Sequence, residues 1–132
     1  MSKRTLKGPM LRYDMQSCNN FIIPKGCVIH IPEEIPVVWN YNFGDPKAFI
    51  GFANLISTDD GFDITVETTH DDLLKLISMI DGRKIPCGGW YHRLKYHREN
   101  GVLITEECTL KGVGVFLKGD DYLYLEVEDE NN

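Results

Sequence analysis

The 132-residue sequence has no long apolar run, no C-x-x-C pair, no internal repeat and no excess of basic residues. Each absence removes a class of protein. Without about 18 consecutive apolar residues, no membrane-spanning helix is expected. The opening residues, MSKRTLKGPM, are basic but carry no apolar h-region, so they do not read as a signal peptide. The formal net charge is −6, and general nucleic-acid binding needs clustered Lys and Arg, so no direct nucleic-acid contact is expected. The four cysteines, Cys18, Cys27, Cys87 and Cys108, are scattered, which predicts free thiols rather than a disulfide framework, with Cys87 and Cys108 as small core residues.

Recognisable chemistry is scarce as well. Cys87, His92, His97 and Cys108 are metal-ligating types, but their spacing fits no compact zinc pattern. His92 and His97, five apart on a predicted strand, should point to opposite faces. No serine sits in a nucleophile setting such as G-x-S-x-G. Cys108 could meet His92 or His97 across the hairpin, but nothing nearby activates the thiol. Gly112-Val113-Gly114 is a lone G-x-G with a strand after it, not a phosphate loop. The Asp59-Asp60, Asp71-Asp72 and Asp120-Asp121 pairs fall in turns or at a helix start, where solvation and capping explain them. No cofactor and no metal are expected.

What is present suits one domain of 132 residues, with 42% hydrophobic and 26% charged residues. Charge is segregated. Lys3, Arg4, Lys7 and Arg12 suggest a basic N-terminal arm over about 1–12. Glu126, Glu128, Asp129 and Glu130 suggest an acidic tail over about 126–132, free to pair within one molecule or between neighbours. The middle reads as strands. Ile35–Trp39 is a short apolar run. Ala48–Ser57 is apolar on both faces and should be central. Phe62–Thr68 alternates and should form a hairpin with it through Thr58-Asp59-Asp60-Gly61. A principal helix is predicted over about 70–81, capped by Thr69, ended by Gly82, with Leu73, Leu76, Ile77 and Ile80 as a buried stripe. The same core should contain Phe52, Ile56, Phe62, Ile64 and Val66. Asn100-Gly101 predicts a hairpin of Gly89–His97 with Val102–Leu110, and Lys118-Gly119-Asp120-Asp121 another of Gly112–Leu117 with Tyr122–Val127. The fold class is α+β: a strongly bent mixed sheet or small β-barrel with one principal helix. Trp90, Tyr91, Tyr96, Tyr122 and Tyr124 exceed what two short hairpins need internally and are candidate interface residues.

The polar-aromatic stretch in IPVVWNYNF stands out. Phe21-Ile22-Ile23-Pro24-Lys25-Gly26, Ile35-Pro36-Val37-Val38-Trp39-Asn40-Tyr41-Asn42, Ile50-Gly51-Phe52-Ala53, Asp59-Asp60-Gly61-Phe62-Asp63-Ile64 and Leu110-Lys111-Gly112-Val113-Gly114-Val115-Phe116 follow one another over residues 20–117. In order and approximate spacing this resembles the tailed-phage prohead proteases, a family related in fold to the herpesvirus maturation proteases. Its members read roughly D-x-I-x-P-G, then L-W-N-H-D, I-G-x-A, a D-G turn, and later a strand like V-S-L. The resemblance gives the general base to the His of W-N-H and the nucleophile to the Ser of V-S-L. Tyr41 and Gly114 stand there. Tyrosine ionises near pH 10 and is a poor base at neutral pH, and glycine carries no nucleophile. The resemblance therefore implies a protease-like frame without the protease mechanism. It suggests a non-enzymatic phage or prophage structural protein, a capsid-auxiliary or head-associated component of the virion, assembled in the host cytoplasm. The implied partner is the major capsid protein or further copies of the chain. A phage-encoded binding or inhibitor module acting on a host protein, and a divergent protease, are the alternatives.

Overall fold

The computed structural model describes residues 4–16, 20–79, 84–116 and 123–128. Nine strands form one sheet: β1 (Arg4–Arg12), β2 (Phe21–Ile22), β3 (Val28–His30), β4 (Ile35–Trp39), β5 (Phe49–Thr58), β6 (Gly61–Thr68), β7 (Lys84–Glu99), β8 (Val102–Val115) and β9 (Leu123–Glu128). Seven of them close into a ring in the order β8-β4-β5-β6-β1-β9-β7 and back to β8. Six contacts in this ring are antiparallel and one, β4–β8, is parallel. The arithmetic requires it, because directions cannot alternate all the way round an odd number of strands. The bent sheet expected from sequence is thus a closed mixed barrel.

Two hairpins follow their turn signals. Asn100 and Gly101 both take positive φ, 52° and 81°, and join β7 to β8. Residues Thr58 to Gly61 join β5 to β6. The inner ends of β7 and β8 are barrel staves. Their outer ends form a ribbon beyond it, with β2 and β3 added in parallel along β8.

The interior is aliphatic. Leu6, Val37, Ile64, Val66, Leu110, Val113, Val115 and Leu125 have no exposed surface, so five of the seven staves contribute to one core among these alone. Ile50 of β5 and Ile85 of β7 join them at 5% and 1% exposed.

Several sequence expectations need correction. Residues 4–12 are not a free arm but stave β1, with Leu6, Met10 and Leu11 buried. Pro9, which disguises the strand in the sequence, adjoins a register shift, where a missing N–H is tolerated. The opposite charges at the two ends meet within one molecule: β9 lies between β1 and β7, and Glu126 is the register partner of both Lys7 and Lys84. Residues 129–132 lie outside the described part. Gly112–Val115 does not form a hairpin with the last strand. It continues β8, which pairs with β4 and β7, while β9 pairs with β1 and β7.

Phe52 and Ile56 are 49% and 44% exposed, not core residues. The β4–β5 ladder skips Ile50, and this bulge breaks the alternation of β5, leaving Ile50 and Ala53 inside. Phe62 is half-buried against the core, and Ile64 and Val66 are fully inside.

The principal helix over about 70–81 is not borne out. What forms is a short helical segment, α1 (Asp71–Met79), at the barrel's periphery, besides a 3-10 turn at Pro46–Ala48. Leu73 is buried and Leu74 half-buried, while Asp71, Asp72, Lys75, Ser78 and Met79 face solvent. The side chains of Leu76 and Ile77, and residues Ile80 and Gly82, lie outside the described part. Thr69 is not the cap. His70 accepts the Leu73 N–H through Nδ1 at 3.2 Å and its carbonyl accepts the Leu74 N–H at 3.0 Å. With Nδ1 accepting, Nε2 carries the proton and donates to the Lys47 carbonyl at 2.8 Å.

The burial pattern sets a mutational contrast. Ile64→Ala should cost about 2–5 kcal/mol through lost transfer energy and a cavity. Phe52→Ser, on the same core prediction from sequence, should change stability by no more than about 0.5 kcal/mol. Urea unfolding of the two variants measures both.

Candidate functional site

The parallel seam carries the most unusual local structure. β4 ends in a tight turn in which Asn40 and Tyr41 both adopt left-handed conformations, φ 53° and 59°. The Asn42 N–H donates to the Trp39 carbonyl at 3.0 Å, and the Asn40 N–H donates across to the Val115 carbonyl at 2.9 Å. Two positive φ values closed by an i to i+3 bond define a type I′ turn. Asparagine tolerates this conformation. For tyrosine it costs on the order of 1 kcal/mol.

Contacts of the Tyr41 ring offset that cost. The ring lies against Gly114, where an added Cβ would come within 2.6 Å of Tyr41 Cδ1. It meets Phe116 edge-on at 4.8 Å, and its hydroxyl donates to the Gly89 carbonyl at 3.3 Å. One residue pair along β8 the motif repeats. Phe43 covers Gly112, where a Cβ would fall 2.4 Å from Cε1, and stacks on Trp90 at 4.6 Å. The two glycines of Gly112-Val113-Gly114 are therefore seats for aromatic rings on the outer face, and Val113 between them points into the core.

The same face holds an open groove of about 700 Å3. Val38, Phe43, Phe49 and Trp90 give it apolar walls, and Asp45 and Lys111 are its charged members. Phe49 packs edge-on with Phe52 at 5.0 Å, which extends the aromatic surface over β5. Trp39 turns the other way. It is half-buried against the core and lines a smaller cavity of about 190 Å3 with His70 and Asp72.

The structure thus brings Tyr41 and Gly114 together, and it separates most of the other chemical candidates. Cys87 is buried in the barrel, where its thiol meets the Pro9 carbonyl at 3.3 Å, and burial pushes its pKa up to about 12. Cys108 has no exposed surface, and burial likewise pushes it to about 12. Cys27 sits within hydrogen-bonding reach of Cys108, yet burial still raises it. None of these thiols is a thiolate at neutral pH. His92 is beside Thr109, and His97 is at the far tip of the ribbon, next to Ile104. Among the described residues no group of three His, Cys, Asp or Glu is arranged to hold a metal. Cys18 lies outside the described part.

The interface candidates divide. Trp90 and Tyr96 are 47% and 56% exposed. Tyr91 is half-buried; its hydroxyl is buried without a hydrogen-bond partner among the described residues, and burial raises its pKa. Tyr124 is half-buried opposite Pro86, and Tyr122 lies outside the described part.

Compared with family models, curated proteins and solved structures, the chain matches none.

Sequence reasoning missed Phe43, Phe49 and Phe116 as companions of Tyr41 and Trp90. The available signal was the alternation Tyr41-x-Phe43 opposite Gly112-x-Gly114. Rings spaced by two facing glycines spaced by two match the pleat, but only once the two strands are known to be neighbours.

Electrostatics concentrate at the ribbon. Hydrogen bonds that His97 donates to the carboxylates of Glu106 at 2.8 Å and Glu99 at 3.0 Å hold its pKa above the ordinary value. A hydrogen bond from His30 at 2.7 Å, with lesser help from Lys95, holds Glu107 below its own.

Three measurements test the site and the ribbon. Tyr41→Gly should be less destabilising than Tyr41→Ala by about 1 kcal/mol, because glycine keeps the turn without strain while both lose the ring; chemical denaturation of the two variants compares them. For His97, a raised folded-state pKa contributes stability that is complete below the unfolded value, about 6.5, and is lost as pH rises through the folded value. Amide exchange at the ribbon tip, corrected for its intrinsic pH dependence, should therefore lose protection above about pH 6.5. In Glu106→Gln the NMR titration midpoint of His97 should fall.

Proposed function

We propose that this chain is a non-enzymatic, head-associated phage protein, a capsid-auxiliary component in which a prohead-protease-like barrel keeps its frame and has lost the chemistry. The observation that carries the reading is the pairing of Tyr41 with Gly114. The resemblance gives base and nucleophile to these two positions, and they lie side by side across the parallel seam. The Tyr41 ring fills the space that a nucleophilic side chain at residue 114 would need. A closed barrel fits the frame that the resemblance implies.

The partner under this reading is the major capsid protein or another copy of the chain. Contact is made by the outer face around Trp90 and by the exposed ribbon side of β7, where Leu94 and Tyr96 are 47% and 56% exposed. Apolar and aromatic groups of this kind supply affinity, whereas exposed charges mainly steer association. The working location is the virion.

The test is co-sedimentation of the purified chain with assembled shells of the capsid protein encoded beside it, together with a search for cleavage of that protein and of a broad peptide library. The expected result is association without cleavage. A Trp90→Ala, Tyr96→Ala double variant should associate at least about tenfold more weakly, and Tyr96→Ala alone, away from the seam, should weaken association while unfolding at an unchanged temperature. Specific cleavage that disappears on changing one Ser or Cys would overturn the reading.

A further inference from the structure

β9 flanks β7 from Lys84 to Cys87 and β8 flanks it from Cys87 to Glu99, so the two ladders overlap only at Cys87. From Gly88 to Glu99 it keeps β8 on one side, and among the described residues no strand lies on the other. Among the described residues, shorter stretches without a ladder partner on one side occur elsewhere, as on β5 from Asn54 to Thr58, on β1 after Lys7 and along the two-residue β2 and three-residue β3, but none is as long as this one. A long edge of this kind presents backbone N–H and C=O groups ready to pair with an incoming chain.

The side chains along this edge are of one sign. Residues 88 to 98 read GGWYHRLKYHR: Arg93, Lys95 and Arg98, with His92 and His97, and no carboxylate before Glu99. In a chain of net charge −6 this stretch and residues 3–12 stand apart as basic. Glu107 of β8 reaches Lys95 at 3.7 Å and Glu106 meets His97, so those two groups are partly answered from within. Arg93 lies over the Phe21 ring at 4.7 Å. Arg98 and His92 make no ion pair among the described residues.

We propose that the free edge of β7 takes an added strand from an extended, acidic segment of another protein. This deepens the reading above, on which the β7 side is the contact surface, by naming the chemistry of what docks there. A second copy does not fit. Two β7 edges side by side would oppose like charges, which destabilises a strand pair. The chain's own acidic strand is already committed, with Glu126 beside Lys7 and Lys84. Single-sign charge thus guards the edge against self-pairing and selects an acidic partner. The extra residue Leu94 bulges β7 between Arg93 and Lys95, so the added strand follows one side of the bulge, and basic residues line both sides.

The probe is a short peptide alternating Glu and Val, read by fluorescence anisotropy at low salt against its Lys-Val counterpart. Two further versions are N-methylated, one at every Val and one at every Glu. A strand pairs through one edge, so one methylated version should lose binding and the other keep it. The acidic peptide should bind at least about tenfold more tightly than the basic one, and Arg93→Glu with Arg98→Glu should remove that preference. Arg98→Glu alone, at the exposed tip, should reduce it if the double variant does not fold. Equal binding of acidic and basic peptides, survival of both methylated forms, or no binding at all would overturn the inference. Shell association through Trp90 and Tyr96 with no peptide binding would leave the wider reading standing and sink this one. Peptide binding with no shell association would do the reverse.

Discussion

Seven strands can close on themselves only if two neighbours run the same way, and in this barrel those neighbours are β4 and β8. The rest of the fold hangs on that seam. β4 is five residues long, and its ladder to β8 covers only Val37 to Trp39. Without it the sheet would be open, with edges at β4 and β8, and the interior around Val37, Val113 and Val115 would face water. A parallel ladder is slightly weaker per residue than an antiparallel one, so so short a seam needs help from side chains.

That help comes from the outer face. Glycines at 112 and 114 let Phe43 and Tyr41 lie directly on the β8 backbone, and Phe116 and Trp90 pack against those rings. The Tyr41 hydroxyl reaches β7 at Gly89, so one residue of the β4 turn spans β8 and touches the strand beyond. The left-handed backbone at Tyr41 costs free energy locally, and its ring contacts offset that cost. Where the resemblance would give chemistry to the seam, this chain has packing.

What the sequence revealed follows from which interactions are local. The β5–β6 and β7–β8 hairpins were legible because D-G and N-G turns and the flanking patterns lie within a few residues of each other. The seam was not, since β4 and β8 are more than sixty residues apart and nothing in either names its partner. β1 was obscured by Pro9 and by charges that read as a solvated arm, and its role depends on strands far along the chain. β5, apolar on both faces, could not say which face is inside, and the bulge at Ile50 decided against Phe52. At the candidate site, Tyr41 and Gly114 were singled out together, whereas the rings that accompany them needed the pairing of β4 with β8 to be seen.

Native-state hydrogen exchange at the seam tests the account most directly. The informative amides are that of Asn40, bonded to the Val115 carbonyl, and those of the β4–β8 ladder. If the plugged seam holds the barrel shut, they exchange only with global unfolding, and their opening free energies match those of Ile64 and Val66 in the antiparallel staves. Exchange at the seam through local opening, at free energies well below those of β6, would contradict it.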